Sequence, residues 1–447
     1  MFDNKNDGAK YIQLYNYYKN LILSGVLKSN DKIPSIRKCA ESFELSRTTV
    51  ETAYDMLGAE GYIVSKAQSG FYVSDADFSS LNKDYGIDEQ KTEGVAVKYD
   101  LVSSSGDKSS FNFALWRRYV KSALRQNERL LSYGEPQGEH DLREAISSFV
   151  AKERGVVCSA SQVVVAAGTQ NLIGILCAIC PEFKRVTFVG SDFTQGKAVF
   201  EDYGKEIRSY PNVSDVTEDI CDSFIYTSPS HNDNWGSVMN SSDRIRLLKL
   251  ALKNNSMIIE DDYDSEFRYY TRSVPSLQGM NAGKNVVYIG TFSKLLLPSI
   301  RISFMVIPPE LISKYNERKH LYNQTASKSE QIALCQYIRD GHLQQQIKKQ
   351  KKHYASKVRH VCERAKEILP REIGLTQCQS GYLIRATMET DKASEDISRY
   401  ALKNGVLIKP AGNEKNKALF LLSVSGFNID DTDDMLRSIK DIYEKSR

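Results

Sequence analysis

The stretch VVYIGTFSKLLLPSIR, Val286 to Arg301, decides how the rest of the chain is read. Val286, Val287, Tyr288 and Ile289 make an apolar, β-branched run of the kind that fills a buried strand, and Gly290 ends it. Thr291 and Ser293 then set two hydroxyls beside Lys294, and Arg301 follows. An amine among hydroxyls, with a guanidinium close behind, has the makings of a phosphate site with a nucleophilic nitrogen at its edge. A solvated surface lysine is the competing reading, and residues elsewhere have to choose between them.

At 447 residues the chain exceeds one ordinary domain, and 60 basic against 56 acidic side chains leave a net charge of only +4. So small a surplus calls for neither an acidic partner nor a basic tail, and any contact with nucleic acid has to come from local placement. Met1 to Lys10 is polar and does not read as a signal peptide. No apolar run reaches bilayer length, Asn171 to Ile179 coming nearest, so a cytoplasmic location without a membrane partner is expected. Cys177 and Cys180 form a C-x-x-C inside the apolar run LIGILCAIC, with no second pair nearby. Two packed thiols are expected there rather than a metal site, and a reducing compartment fits.

Strands and helices alternate around the opening stretch. Leu142, Ala145, Ile146, Phe149 and Val150 mark a helix that Gly155 closes. Gln162 to Ala167 reads as a strand, and Gly168-Thr169-Gln170 turns it into a helix beginning near Asn171. Backbone N–H groups and the helix dipole at such a turn favour an anion. Further strands are predicted at Arg185–Val189, Ser223–Tyr226, Met257–Glu260 and Ile302–Ile307, with a helix over Asp243–Leu252. That pattern predicts an α/β sheet with its ligands at the C-terminal ends of the strands.

Strand Met257–Glu260 delivers Glu260-Asp261-Asp262-Tyr263-Asp264 at its C-terminal end. A carboxylate there would hold the pyridine nitrogen of pyridoxal 5'-phosphate (PLP) protonated, and a tyrosine would hydrogen-bond its ring oxygen. An acidic metal cluster or a solvated loop is the alternative. With the glycine turn and the Thr291–Arg301 segment also present, the PLP pocket is favoured.

Residues 10–74 read as a separate domain. Ile12, Tyr15, Tyr18, Leu21 and Ile22 keep helical spacing up to Gly25. Pro34 opens a second helix, and after a break at Glu44–Leu45, Ser46 caps a third. The third buries Val50, Ala53, Tyr54 and Leu57 and exposes Arg47, Thr48, Thr49 and Thr52. Helix, tight turn and helix with a polar N-terminal end is the layout that enters a DNA major groove. Tyr62–Val64 and Phe71–Val73 predict a hairpin around Lys66-Ala-Gln-Ser-Gly70, a wing. Residues 75–98 lack a sustained apolar period and read as a flexible linker.

The run KIPSIRKCAESFELSRTTVETAYDMLGAEGYI followed by SGFYV resembles the winged helix-turn-helix of the GntR family of bacterial regulators. The resemblance implies that Arg37, Arg47, Thr48, Thr49 and Gly70 meet double-stranded operator DNA, with Ser35, Lys66 and Ser69 on its phosphates. Gln68 stands where the family wing usually has a glycine. From residue 99 onward the motifs YGEPQGEHDLREAI, VVVAAGTQNLI, SPSHNDNWG, IIEDDYDSEFRY and YIGTFSKLLLPSIRISFMVIP resemble fold-type I aminotransferases. Together the halves resemble the MocR subfamily, a GntR-type domain fused to an aminotransferase-like domain of residues 99–447.

That resemblance implies an α/β fold class, a winged helix-turn-helix plus a fold-type I PLP-dependent aminotransferase-like domain. By it Lys294 forms the Schiff base with PLP, Asp261 pairs the pyridinium and Tyr263 contacts the phenolate oxygen. Gly168, Thr169, Gln170, Thr291, Ser293 and Arg301 hold the phosphate, His231 belongs to the pocket, and Tyr133 reaches the phosphate of the partner in a homodimer. The chain departs from the family at Pro229-Ser230-His231-Asn232-Asp233-Asn234-Trp235-Gly236, which lacks the second proline of P-S-H-Q-x-P-x-G. Near Asp192 to Gln195 the usual proline and tyrosine are replaced, leaving Phe193 as a candidate stacking ring. In Phe420-Leu421-Leu422-Ser423-Val424, Leu421 stands where family members carry an arginine for the substrate carboxylate. Leucine cannot replace a bidentate guanidinium. Either the effector is not an ordinary α-amino acid, or another base such as Arg385 supplies the clamp. The expected function is therefore a transcriptional regulator that senses PLP or a small amine, with an active aminotransferase bearing a DNA-binding domain as the alternative.

Overall fold

The computed structural model describes residues 9–76, 96–102, 110–190, 193–216, 220–232, 237–263, 265–267, 275–378 and 382–446. The chain divides into two compact units, Met1–Glu93 and Gly94–Arg447. Most of the expected linker, along with Asp192, Asp264 and residues 233–236, lies outside the described residues.

In the first unit, helices α1 (Lys10–Leu23), α2 (Ile36–Phe43) and α3 (Arg47–Ala59) precede a hairpin of β1 (Ile63–Lys66) and β2 (Gly70–Val73). Leu14, Tyr18, Cys39, Val50, Tyr54 and Leu57 fill its core. Helix α2 begins two residues later than Pro34 suggests, because the Ser35 hydroxyl accepts the Lys38 N–H at 3.3 Å and so caps it. Glu44 stops it in a left-handed conformation, φ 53°. Ser46 caps α3 by accepting the Thr49 N–H at 3.1 Å. The hairpin is longer at its tip than the apolar residues indicate, since antiparallel pairing runs from Ile63↔Val73 to Lys66↔Gly70.

The second unit opens with β3 (Tyr99–Asp100). Its main sheet holds β4 (Val163–Ala166), β5 (Arg185–Val189), β6 (Glu206–Tyr210), β7 (Phe224–Thr227), β8 (Met257–Asp262), β9 (Val286–Thr291) and β10 (Ser303–Val306). The order is β4-β10-β9-β8-β7-β5-β6, all parallel except β10, which runs antiparallel to both its neighbours. Both faces are covered: Val163 and Val165 join one core, Val164 and Ala166 the other. That is why these strands read as unbroken apolar runs. Strand β6 was not expected, for EIRSY lies at the sheet edge, only half buried, and shows no such run.

Towards the C-terminus, β11 (Ile373–Gln377), β12 (Leu383–Glu389), β14 (Lys409–Glu414) and β15 (Lys417–Ser423) form an antiparallel sheet in the order β11-β12-β15-β14, while β13 (Val406–Leu407) pairs in parallel with β3. Cys177 and Cys180 are both buried, and burial pushes their thiols up to about 11 and about 12. No helix among the described residues is long and apolar enough to cross a membrane.

Candidate functional site

The parallel strands of the main sheet end at a common edge, and there a cavity of about 660 Å³ opens. At the end of β4, Gly168 (φ 101°, ψ 163°) caps the helix Thr169–Ile179. The helix starts two residues earlier than its apolar pattern indicates, so the N–H groups of Thr169 and Gln170 belong to its first turn, where no carbonyl of the helix reaches them. The backbone angles of Gly168 lie in a region only glycine occupies freely, and a Cβ there would stand 2.5 Å from Nη2 of Arg301. Glycine is what lets the guanidinium approach the turn.

Strand β8 carries three acids in succession, and alternation along the strand separates them. Asp261 and Tyr263 line the cavity. Asp261 is buried and accepts a hydrogen bond from the hydroxyl of Tyr226, on β7. Burial and the Asp261 charge push that hydroxyl well above its ordinary range, so Tyr226 stays the donor. Glu260 and Asp262 point the other way. Asp262 meets Nε of Arg154 at 2.6 Å, the hydroxyl of Tyr288 at 2.8 Å and that of Ser230 at 3.0 Å. Burial favours its neutral form, but the Arg154 guanidinium and these hydroxyls outweigh burial and hold the carboxyl below its usual range. Glu260 accepts the N–H groups of Leu277 and Gln278 at 2.9 and 3.0 Å. Burial, helped by the Asp262 charge, pushes it up to about 7.

From the end of β9, Lys294 extends into the cavity. Its Nζ donates to the hydroxyl of Tyr382 at 2.7 Å and stands 4.1 Å from the centre of the Tyr263 ring. Thr291 Oγ1 accepts from the Ser293 N–H at 3.2 Å and from the Ser303 hydroxyl at 2.9 Å. The Ser293 hydroxyl is buried with no partner among the described residues. His231 lines the cavity, its ring 5.6 Å from that of Tyr263, and Phe193 lines it too, stacked on Tyr226 at 6.0 Å.

The structure thus brings Gly168, Thr169, Gln170, His231, Asp261, Tyr263, Thr291, Ser293, Lys294 and Arg301 to one cavity. Tyr133 is not among them and stands fully exposed in the single chain. Sequence reasoning missed Tyr226, Tyr382, Lys409 and, behind the sheet, Arg154. Tyr226 ends a strand beside the acids and was open to discovery; nothing local marks the other three. Arg385 does not line the cavity and donates from Nη2 to Ser237 Oγ at 2.9 Å.

In the first unit, Arg47, Thr48 and Thr49 make the first turn of α3, and the Ser46 hydroxyl lies 2.9 and 2.7 Å from those of Thr48 and Thr49. Arg37 is exposed and pairs with Glu41 at 3.1 Å. On the hairpin, Lys66 lies over the Tyr72 ring at 4.6 Å, and the Ser69 and Tyr72 hydroxyls meet at 2.6 Å. Gly70 has φ 111°, and Gln68 holds a left-handed φ of 59°, the conformation a glycine would take without strain.

The family profile for bacterial regulatory proteins of the gntR family matches residues 10–73, and that for aminotransferase class I and II matches residues 104–438. The chain is 36% identical over 413 residues to YdeL, an uncharacterized HTH-type transcriptional regulator of Bacillus subtilis, covering 90% of this chain and 88% of the relative. It is 27% identical over 443 residues to the probable rhizopine catabolism regulatory protein MocR of Rhizobium meliloti, covering 93% and 89%. Among solved structures, the kynurenine aminotransferase of Pyrococcus horikoshii shares the fold with a TM-score of 0.68 at 21% identity, over 79% of this chain and 92% of that one.

Proposed function

The chain belongs to the MocR subfamily of GntR-family transcriptional regulators, and on that premise we propose that it binds operator DNA through its first unit and holds PLP on Lys294 in its second. The grouping that carries the proposal is Lys294, Asp261 and Arg301 around one cavity.

Three features support a fit to the cofactor. Gly168 keeps a cradle open that a Cβ would close, the buried Ser293 hydroxyl has no partner among the described residues, and Asp261 offers a buried carboxylate. When bound, PLP supplies an aldehyde that condenses with primary amines, and its ring accepts electrons. Lys294 provides the amine. Asp261, steadied by Tyr226, holds positive charge on a ring nitrogen, and Tyr263 lies against the amine. The first-turn N–H groups of Thr169 and Gln170, the hydroxyls of Thr291 and Ser293, and Arg301 hold the phosphate. In a homodimer Tyr133 completes the partner's site.

Occupancy by PLP or by a small amine then shifts the balance between two dimer arrangements, by no more than the ligand's differential affinity for them. Leu421 in the cavity wall speaks for a sensor over an enzyme of α-amino acids, because turnover needs the carboxylate held. Purified protein should gain a visible absorbance band on incubation with PLP, and Lys294→Ala should not. A colourless wild type would end the cofactor reading; operator binding in a gel shift tests the other unit separately.

A further inference from the structure

One wall of the cavity comes from the C-terminal sheet. There Lys409 of β14, Leu421 of β15 and Arg385 of β12 stand in a single cross-strand row, Leu421 in the middle. Leu421 is buried and lines the cavity, so the middle position offers no charge. Arg385 is engaged with Ser237 and is not part of the lining. Lys409 is part of it, and its amine has no hydrogen bond or ion pair among the described residues. Of the other bases of the lining, Lys294 donates to Tyr382, while Arg301 also shows no hydrogen bond or ion pair among the described residues but stands at the Gly168 turn, where the proposed function gives it to the phosphate.

We propose that Lys409 is the anion-recognising residue of the effector site, and that the effector is a primary amine bearing one anionic head. The head docks on the Lys409 ammonium, and the carbon chain lies along Leu421 and Leu383, which line the same wall. Moving the positive charge from β15 to β14 displaces it by one strand spacing, about 4.8 Å. It also changes its character. A guanidinium fork at 421 would fix a carboxylate in one plane, whereas an ammonium on a four-carbon stem is a mobile point charge. Such a site takes the anion through single hydrogen bonds and tolerates more than one spacing between amine and anion.

This inference rests on the cofactor reading, and its test separates the two. Full-length protein incubated with PLP is titrated with the unbranched amino carboxylates from glycine through 6-aminohexanoate, and with alkylamines of matching length, while the visible spectrum is followed. At least one amino carboxylate should act at a concentration about tenfold or more below its alkylamine, the size of one charge-assisted hydrogen bond. Lys409→Ala should erase that preference and Lys409→Arg should restore it. Lys409 is exposed on its strand, so the alanine variant should fold, which its circular dichroism will verify. A preference that survives Lys409→Ala, or that disappears in Arg385→Ala instead, overturns the proposal. A wild type that treats the two series alike overturns it as well. Protein that gains no visible band overturns the cofactor reading, and this inference with it.

Discussion

A methyl group at Gly168 would stand 2.5 Å from Nη2 of Arg301. Gly168→Ala therefore carries two penalties, a backbone conformation costing about 1–3 kcal/mol for any other residue and a displaced guanidinium. Because the blocking atom is the tip of a flexible side chain, Arg301 should swing away while the fold survives. PLP titration should show affinity weakened by about tenfold or more. Unchanged affinity in a folded variant would remove Arg301 from the phosphate site.

Arg154 and Asp262 form an ion pair at 2.6 Å with side chains only 4% and 1% exposed. Arg154→Met should strand the Asp262 carboxylate and cost about 3–5 kcal/mol. Adding Asp262→Leu should return much of that loss, because the pair's value lies largely in each charge neutralising the other. Denaturant unfolding of the single and double variants measures both, and a double variant less stable than Arg154→Met would contradict the account.

Glu260 and Asp262 should pull the stability profile in opposite directions. Glu260 is raised from 4.5 to about 7 in the fold, so folding takes up a proton between those values and its contribution to stability falls as pH rises through that window. Asp262 is held below 3.8, so its contribution is present above that value and is lost as pH falls through the depressed one. Glu260→Gln should flatten the decline of Tm from about pH 4.5 to about pH 7 and leave the acid limb alone. Equal declines in both proteins would show that Glu260 does not titrate there.

At the first unit, two neighbouring substitutions should separate folding from recognition. Ser46→Ala removes the acceptor for the Thr49 N–H and should cost about 1 kcal/mol of stability. Arg47→Ala should leave Tm in place and weaken specific operator binding by about 1–3 kcal/mol, as expected for a guanidinium on a guanine edge. A gel-shift series in which Arg47→Ala binds like wild type would take the N-terminal turn of α3 off the DNA.

What could be read from the chain before its structure follows from how each feature is built. The Gly168–Gln170 turn and the Thr291–Arg301 segment each bring their donors together within a few residues, so local sequence displays them. The three acids of β8 were legible as a group and the resemblance singled out Asp261, but nothing local paired Asp262 with Arg154, a residue 108 positions away. Tyr382, just before β12, and Lys409, on β14, sit at strands that are only partly buried and carry weaker apolar signals than β4 or β9. Strand β6, parallel but at the sheet edge and only half buried, went unseen because it shows no apolar run. Arg385 was a reasonable substitute for the missing arginine by charge alone; the register sets it and Lys409 on either side of Leu421, but Arg385 turns to Ser237 and Lys409 lines the cavity.

Strands β9 and β10 run antiparallel, with Thr291 paired to Ser303 and their hydroxyls 2.9 Å apart. The excursion that bears Lys294 and Arg301 consequently leaves and re-enters the sheet at neighbouring points, like a handle riveted at both ends. Lys294 and Arg301 therefore belong to one short excursion whose two ends are fixed side by side in adjacent strands.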